Sequence, residues 1–161
     1  MLSCRFCKSK VKKIFSFGKI PIANSLISAH KNSWEKFPLE LVVCTSCFLV
    51  QTSKNLPKKK IFSKRYPYLS SASNTLLNQS KLLAKDIIKK YKLSPKSFIT
   101  EIASNDGYLL QYFMERFDVL GIDPSKNMTK IAKSKNIKII NNFFTFKTAS
   151  MIKNKYGKFD L

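Results

Sequence analysis

Two identically spaced cysteine pairs are the residues of this chain best suited to bind a metal. Cys4 and Cys7 form the first pair, and Cys44 and Cys47 form the second, with 36 residues between the pairs. Two residues between cysteines allow a tight turn to direct both sulfurs at one ion, and two such turns complete the tetrahedral thiolate shell of structural zinc. The pattern predicts a Zn²⁺ site that organises a small module. Unliganded buried cysteines, a redox pair and an iron–sulfur cluster are the alternatives.

A second candidate site lies in the acidic segment 101–123, EIASNDGYLLQYFMERFDVLGID. This segment holds five of the nine acidic residues and no lysine, in a chain whose net charge is +21. Unpaired carboxylates are costly to bury, so their concentration between apolar residues needs a reason beyond packing. It indicates a site for a ligand that carries positive charge.

The turn in residues 101–107 narrows the class of that ligand. Ala103 and Asn105 stand where the dinucleotide-binding pattern G-x-G-x-x-G has its first two glycines, which disfavours a pyrophosphate. Asp123 ends the next predicted strand, where a carboxylate can accept hydrogen bonds from ribose hydroxyls. These features predict S-adenosylmethionine (SAM), which has a ribose and cationic ammonium and sulfonium groups but no phosphate; a ligand-free turn with a capping Asp is the alternative. The predicted cofactor residues are Glu101, Ala103, Ser104, Asn105, Gly107, Asp123 and Pro124.

Hydrophobic periodicity predicts the elements that position these residues. Residues 74–91 have helical spacing, with Ser73 as N-cap and a stop at Ser94-Pro95. After that proline, strands predicted over 98–103, 119–122 and 137–140 alternate with helices predicted over 108–117, 125–135 and 145–155, and 159–161 opens a fourth strand. This alternation is typical of a doubly wound parallel sheet.

The predicted fold class is therefore α/β, a small zinc-bound N-terminal module followed by a doubly wound parallel sheet.

The positive charge favours a solvated surface over a nucleic-acid interface. Only three of the 30 basic residues are arginine, whereas proteins that contact phosphates or bases favour the guanidinium fork. A zinc-ribbon nucleic-acid-binding protein remains the alternative function. The chain has no run of ~18 apolar residues and no apolar signal region, so we expect a cytoplasmic protein with no membrane partner. His30, the only histidine, is expected to be a surface or packing residue.

Several motifs occur in the order known from one enzyme family. They are Cys4-x2-Cys7, Pro21-Ile-Ala-Asn24, Phe37-Pro-Leu-Glu-Leu-Val-Val-Cys44-x2-Cys47, Leu49-Val-Gln51, Tyr66-Pro-Tyr-Leu-Ser-Ser-Ala-Ser73, Glu101-Ile-Ala-Ser-Asn-Asp-Gly-Tyr-Leu-Leu110 and Gly121-Ile-Asp-Pro124. With these motifs the chain resembles the N-terminal portion of the zinc-binding, SAM-dependent sugar C-methyltransferases. The resemblance implies that the sheet is a partial Rossmann-like doubly wound parallel sheet. It also implies three parts, a zinc-binding module over 1–60, a helical connector over 61–95 and an incomplete SAM-dependent methyltransferase domain over 96–161.

The resemblance implies an activity, a substrate and a partner. Members of the family methylate a carbon of a nucleotide-linked deoxy-keto-sugar, after a base has removed the proton α to the ketone. The resemblance places one acid–base tyrosine at Tyr66 or Tyr68; the alternative is that both are packing aromatics. The family's later His/Tyr acid–base segment and its C-terminal substrate-binding portion have no counterpart in the chain. The resemblance therefore implies a fragment, whose expected partner is the missing C-terminal half or a homologue.

Overall fold

A computed structural model describes residues 2–24, 34–62 and 66–161, so the prediction for His30 lies outside the described residues. The chain divides into two compact units, residues 1–61 and residues 62–161. The first is built on an antiparallel sheet and the second on a parallel one. None of the helices in the described ranges is long and apolar enough to cross a membrane.

The first unit is a three-stranded antiparallel sheet in the order β1-β2-β3. Its strands are β1 (Val11–Pro21), β2 (Lys36–Cys44) and β3 (Val50–Thr52), and a short helix α1 (Lys58–Ile61) follows. Val11 pairs with Cys44, so β1 begins where β2 ends. The first cysteine pair precedes β1, and the second pair begins with Cys44, the last residue of β2. Antiparallel pairing therefore brings the two pairs to the same end of the sheet despite their long separation in sequence.

The second unit contains a parallel sheet in the order β4-β5-β6. Its elements in chain order are α2 (Asn74–Lys90), β4 (Phe98–Ile102), β5 (Asp118–Ile122), α3 (Lys126–Ser134), β6 (Ile139–Ile140) and α4 (Phe146–Tyr156). The C-terminal residues run along the other edge of β4. There the Thr100 N–H donates to the Leu161 carbonyl at 2.8 Å, and the Asp160 N–H donates to the Phe98 carbonyl at 2.9 Å.

Apolar side chains cover both faces of this sheet. Val119 and Leu120 are consecutive in β5 and bury their side chains in different clusters, as alternation along a strand requires. The Val119 cluster contains Ala84 of α2 and Ala132 of α3, and the Leu120 cluster contains Ile152 of α4. Helices on both faces of a parallel sheet confirm the predicted α/β class.

The structure corrects one predicted element and shortens others. Residues 108–117 are not an α-helix: they form turns around a short 3-10 helix at Leu110–Tyr112. Some of their backbone N–H groups donate to carbonyls three residues back and others to carbonyls four residues back. The side chains of Leu110, Phe113 and Phe117 are therefore buried without a regular helix. The predicted strand 137–140 is reduced to Ile139–Ile140, and no strand is assigned at 159–161 although that segment bonds to β4.

Candidate metal centre and cofactor site

The four cysteine sulfurs form one cluster in the first unit. All four Sγ atoms lie within 4.8 Å of one another. The Cys4 and Cys47 sulfurs are 3.7 Å apart, and those of Cys7 and Cys44 are 3.4 Å apart. Sulfurs at the corners of a tetrahedral Zn–S4 site with 2.3 Å bonds are about 3.8 Å apart. The donor set and its spacing therefore fit a Zn²⁺ ion with no position left open for a substrate.

The two cysteine turns have the same backbone geometry. In each turn the N–H of the first cysteine donates to the carbonyl five residues later, at 2.8 Å from Cys4 and 3.0 Å from Cys44. The residue after each second cysteine, Lys8 or Phe48, has a positive φ of 65° or 59°. The left-handed residue closes the loop so that both sulfurs of a pair point the same way.

Hydrogen bonds and burial act differently on the individual sulfurs. The backbone N–H groups of Ser46 and Cys47 both donate to Cys44 Sγ at 3.4 Å. Hydrogen bonds with Ser9 lower the pKa of Cys7 to about 6, which favours the deprotonated form that a metal requires. Burial and the neighbouring cysteine sulfurs raise the pKa of Cys47 to about 12.

The predicted cofactor turn lies at the carboxyl end of β4, at a position that favours ligand binding. Because β5 lies on one side of β4 and the C-terminal residues lie on the other, the chain leaves β4 where the strand order reverses. Open α/β sheets bind ligands outside the carboxyl ends of the strands at this kind of position.

The backbone of this turn is held in a strained conformation. Every second residue from 103 to 107 has a positive φ: Ala103 at 62°, Asn105 at 50° and Gly107 at 79°. Glycine suits position 107, where φ is 79° and a Cβ would lie 2.2 Å from Ile137 Cδ1, so that any other residue would be strained and would displace that side chain. For alanine the left-handed region costs about 1–2 kcal/mol, and such strain is concentrated at functional sites.

The strain at Ala103 leads to a stability prediction. Ala103→Gly should raise the free energy of unfolding of the second unit by about 1 kcal/mol, because glycine adopts a φ of 62° without a steric cost. Urea unfolding followed by circular dichroism measures this change. Ala72→Gly is the matched control: Ala72 lies in a 3-10 helix with ordinary backbone angles, so the same substitution there should destabilise by about 0.5–1 kcal/mol. Equal destabilisation by both variants would contradict the assigned strain.

Three polar atoms of residues 101–107 are buried without a hydrogen-bond partner among the described residues. They are Glu101 Oε2, Ser104 Oγ and Asp106 Oδ1. Asp106 Oδ2, in contrast, forms an ion pair with Lys135 Nζ at 2.8 Å. A buried polar atom without a partner costs about 1–3 kcal/mol, and three in one turn point to a ligand that would supply the missing partners. Two of the atoms belong to carboxylates, which suits a cationic donor.

Asp123 joins the turn after β4 to the turn after β5. Its Oδ2 accepts from the Asn105 N–H at 3.0 Å, and its Oδ1 accepts from the Ser125 N–H at 2.7 Å. The Asp123 side chain is buried, and its backbone carbonyl accepts from Asn141 Nδ2. Each carboxylate oxygen retains a second lone pair, so these bonds leave capacity to accept from a ligand hydroxyl.

The structure brings the predicted tyrosine segment to the cofactor turn. Asn105 Nδ2 donates to the Tyr68 carbonyl at 3.1 Å, and Asn127 Nδ2 donates to the Tyr66 carbonyl at 2.5 Å. The Tyr68 side chain is 51% exposed, whereas Tyr66 is half-buried with its ring centroid 5.5 Å from that of Phe62. Of the other predicted cofactor residues, Ala103 is exposed and Pro124 is half-buried.

Sequence reasoning did not single out three residues that contribute to this site. Burial raises the pKa of Tyr108, and the charges of Glu101, Tyr68 and Asp106 add to this rise. Lys135 pairs with Asp106, and Asn127 holds the tyrosine segment. Tyr108 directly follows the acidic turn, which is a signal that could have found it. Lys135 and Asn127 reach the site because α3 packs beside it. No local sequence pattern predicts this packing.

Comparisons with known proteins agree with this description. Residues 4–62 match the methyltransferase family model described as "Putative zinc binding domain". Over 158 residues the chain is 25% identical to the C-methyltransferase NovU of Streptomyces niveus. The aligned region covers 96% of this chain and 37% of that protein. The chain thus spans little more than a third of the length of this relative. These findings confirm the resemblance to zinc-binding C-methyltransferases and support zinc as the metal of the cysteine cluster.

Proposed function

We propose that this chain provides the zinc module and the cofactor-binding turn of a SAM-dependent methyltransferase that acts on a carbon of a nucleotide-linked deoxy-keto-sugar. The similarity to a C-methyltransferase supports the reaction class. One observation supports SAM as the cofactor. At the carboxyl end of β4, residues 101–107 contain three buried polar atoms that have no hydrogen-bond partner in the described part of the chain. The sugar follows from the resemblance alone. Cytoplasmic location likewise stays a prediction.

Each part of the site has a proposed role toward the cofactor. The carboxylate of Glu101 would accept a hydrogen bond from a cationic amine, and Asp123 would accept from ribose hydroxyls. SAM, when bound, supplies a methyl group on a positively charged sulfur, which a carbon nucleophile can attack. Tyr66 or Tyr68 is proposed to take part in the proton transfer at the carbon α to the ketone. The thiolate-bound zinc has no part in the chemistry and holds the first unit together.

Equilibrium dialysis of the zinc-loaded chain against labelled SAM tests the proposal. We expect one SAM per chain. Its affinity should change little between about 50 and 500 mM salt, because SAM is not a polyanion and its binding releases no condensed counterions. The alternative zinc-ribbon function predicts instead that a labelled single-stranded oligonucleotide binds and is released steeply as salt rises. No retention of SAM at any salt concentration would contradict the proposed function.

Glu101 should give both stability and cofactor binding a pH dependence. Burial raises its pKa to about 7, and the neighbouring Asp106 and Asp123 add repulsion. Because the folded pKa lies above the ordinary value of 4.5, the folded protein holds a proton that the unfolded chain has lost, and stability falls as pH rises from about 4.5 through about 7. A cationic ligand that needs ionised Glu101 should bind more tightly over the same rise.

Glu101→Gln should remove this dependence. We expect the variant to be more stable than the native chain by about 2 kcal/mol at pH 8, with a smaller difference at pH 5.5, in urea unfolding experiments. The difference between the two proteins at each pH cancels contributions from the zinc site. Glu115→Gln is the matched control, because Glu115 is exposed in the same acidic segment. A pH-independent difference for Glu101→Gln would disprove the assigned titration.

A further inference from the structure

The side chain of Asn105 uses both ends of its amide to hold the tyrosine segment, residues 66–70. Its Oδ1 accepts from the Ser70 N–H at 3.1 Å, and its Nδ2 donates to the Tyr68 carbonyl at 3.1 Å. Both Asn105 and Ser70 are buried. Two complementary hydrogen bonds to one segment fix its register as well as its position. Asn105 therefore contacts the tyrosine segment with its side chain, although it was predicted as a cofactor residue.

The backbone of the same residue belongs to the cofactor turn. The Asn105 N–H donates to Asp123 Oδ2 at 3.0 Å, and its φ of 50° is one of the three left-handed angles of the turn. Asparagine tolerates this region better than most residues. A change of φ at position 105 would turn the N–H away from Asp123 and the amide away from Tyr68 together. The contact of the N–H with Asp123 and the contact of the side chain with the tyrosine segment therefore both depend on one backbone conformation.

We propose that Asn105 is a positioning residue that couples cofactor binding to the docking of the tyrosine segment. This inference rests on the proposed function, since it takes SAM as the ligand of the turn. A ligand that bridges Glu101 and Asp123 stabilises the left-handed conformation at position 105. It therefore also stabilises the docked segment, which carries both candidate acid–base tyrosines. By linkage, loss of the clamp weakens SAM binding by the same factor by which SAM strengthens docking.

Hydrogen–deuterium exchange at the Ser70 amide, measured by NMR on the zinc-loaded full chain, reports docking directly. This amide donates to Asn105 Oδ1, so its exchange rate follows the opening of the clamp. We expect saturating SAM to slow its exchange about tenfold. In Asn105→Gly the backbone can still adopt a positive φ but the amide is absent. Exchange at Ser70 should then be fast with and without SAM, and SAM affinity by calorimetry should fall about tenfold.

Two further variants separate positioning from general loosening. Asn105→Asp keeps an acceptor for the Ser70 N–H and loses the donor to the Tyr68 carbonyl, so we expect partial recovery of the SAM-dependent protection. Asn127→Ala frees the Tyr66 carbonyl from α3 without touching the turn, so Ser70 protection should still respond to SAM.

The outcomes distinguish this inference from the proposed function. If SAM binds the native chain but leaves exchange at Ser70 unchanged, or if Asn105→Gly keeps the SAM response, the coupling is disproved and the function stands. If calorimetry detects no SAM binding to the native chain, the proposed function fails and the coupling fails with it.

Discussion

Replacing Cys44 by serine should release the zinc ion and unfold the first unit, residues 1–61. Cys44 is buried, its sulfur lies 3.4 Å from that of Cys7, and it ends strand β2. Structural zinc contributes an apparent ~10–16 kcal/mol to the folding of small modules, which is as large as the ~5–15 kcal/mol stability of a whole domain. The three strands of this unit have little buried apolar surface to replace that contribution, since the side chains of β1 are almost all exposed.

Mass spectrometry of the intact chain and elemental analysis measure the number of zinc ions per chain and so test this prediction. The native chain should carry one zinc, and Cys44→Ser should carry almost none and lose amide protection across β1 and β2. Ser46→Ala is the matched control. It lies in the same turn with an exposed side chain and keeps its backbone bond to the Cys44 sulfur, so its zinc content should equal that of the native chain. Unchanged zinc content in Cys44→Ser would remove the four-cysteine site.

Replacing Asp123 by alanine should have the second largest effect, on the second unit. Asp123 accepts buried hydrogen bonds from the N–H groups of Asn105 and Ser125, and alanine leaves both without a partner. Hydrogen bonds to a charged group contribute about 1.5–3 kcal/mol each, so we expect the free energy of unfolding to fall by about 3–5 kcal/mol. SAM binding should weaken by about 1–3 kcal/mol, because the same carboxylate is the proposed acceptor for the ribose.

Circular dichroism during urea unfolding follows the second unit, which contains all but four of the α-helical residues described. Asp118→Asn is the matched control, because Asp118 begins β5, the strand that Asp123 follows, its side chain is 78% exposed, and its ion pair with Lys138 is solvated. The control should change stability by less than about 0.5 kcal/mol. Asp123→Asn, which keeps one acceptor oxygen, should fall between the two. If Asp123→Ala unfolds like the native chain, the bonds that join the two turns do not contribute as assigned.

Local patterns predicted most of the regular structure for identifiable reasons. Helix α2 begins where predicted because Ser73 Oγ accepts from the Leu76 N–H, a cap that depends only on neighbouring residues. Strand β5 carries the uncharged run Val119–Ile122, and β4 begins with Phe98 and Ile99, as burial of a parallel sheet on both faces favours. Residues 108–117 were mispredicted because their apolar spacing fits helical and 3-10 turns equally well, and packing of Phe113 and Phe117 against the sheet decided between them.

Residue types and spacing by themselves determined the four-thiolate metal site, the α/β class and the acidic character of the turn after β4. Each depends on chemistry that neighbouring residues carry with them. Only the tertiary structure decided that Asp123 bonds the Asn105 backbone, that Lys135 neutralises Asp106, and that Asn105 clamps residues 68–70. These partners lie 18 to 37 residues apart in the chain. Hydrogen bonds act over about 3 Å, so their partners are set by the register and packing of whole elements, which no local sequence pattern specifies.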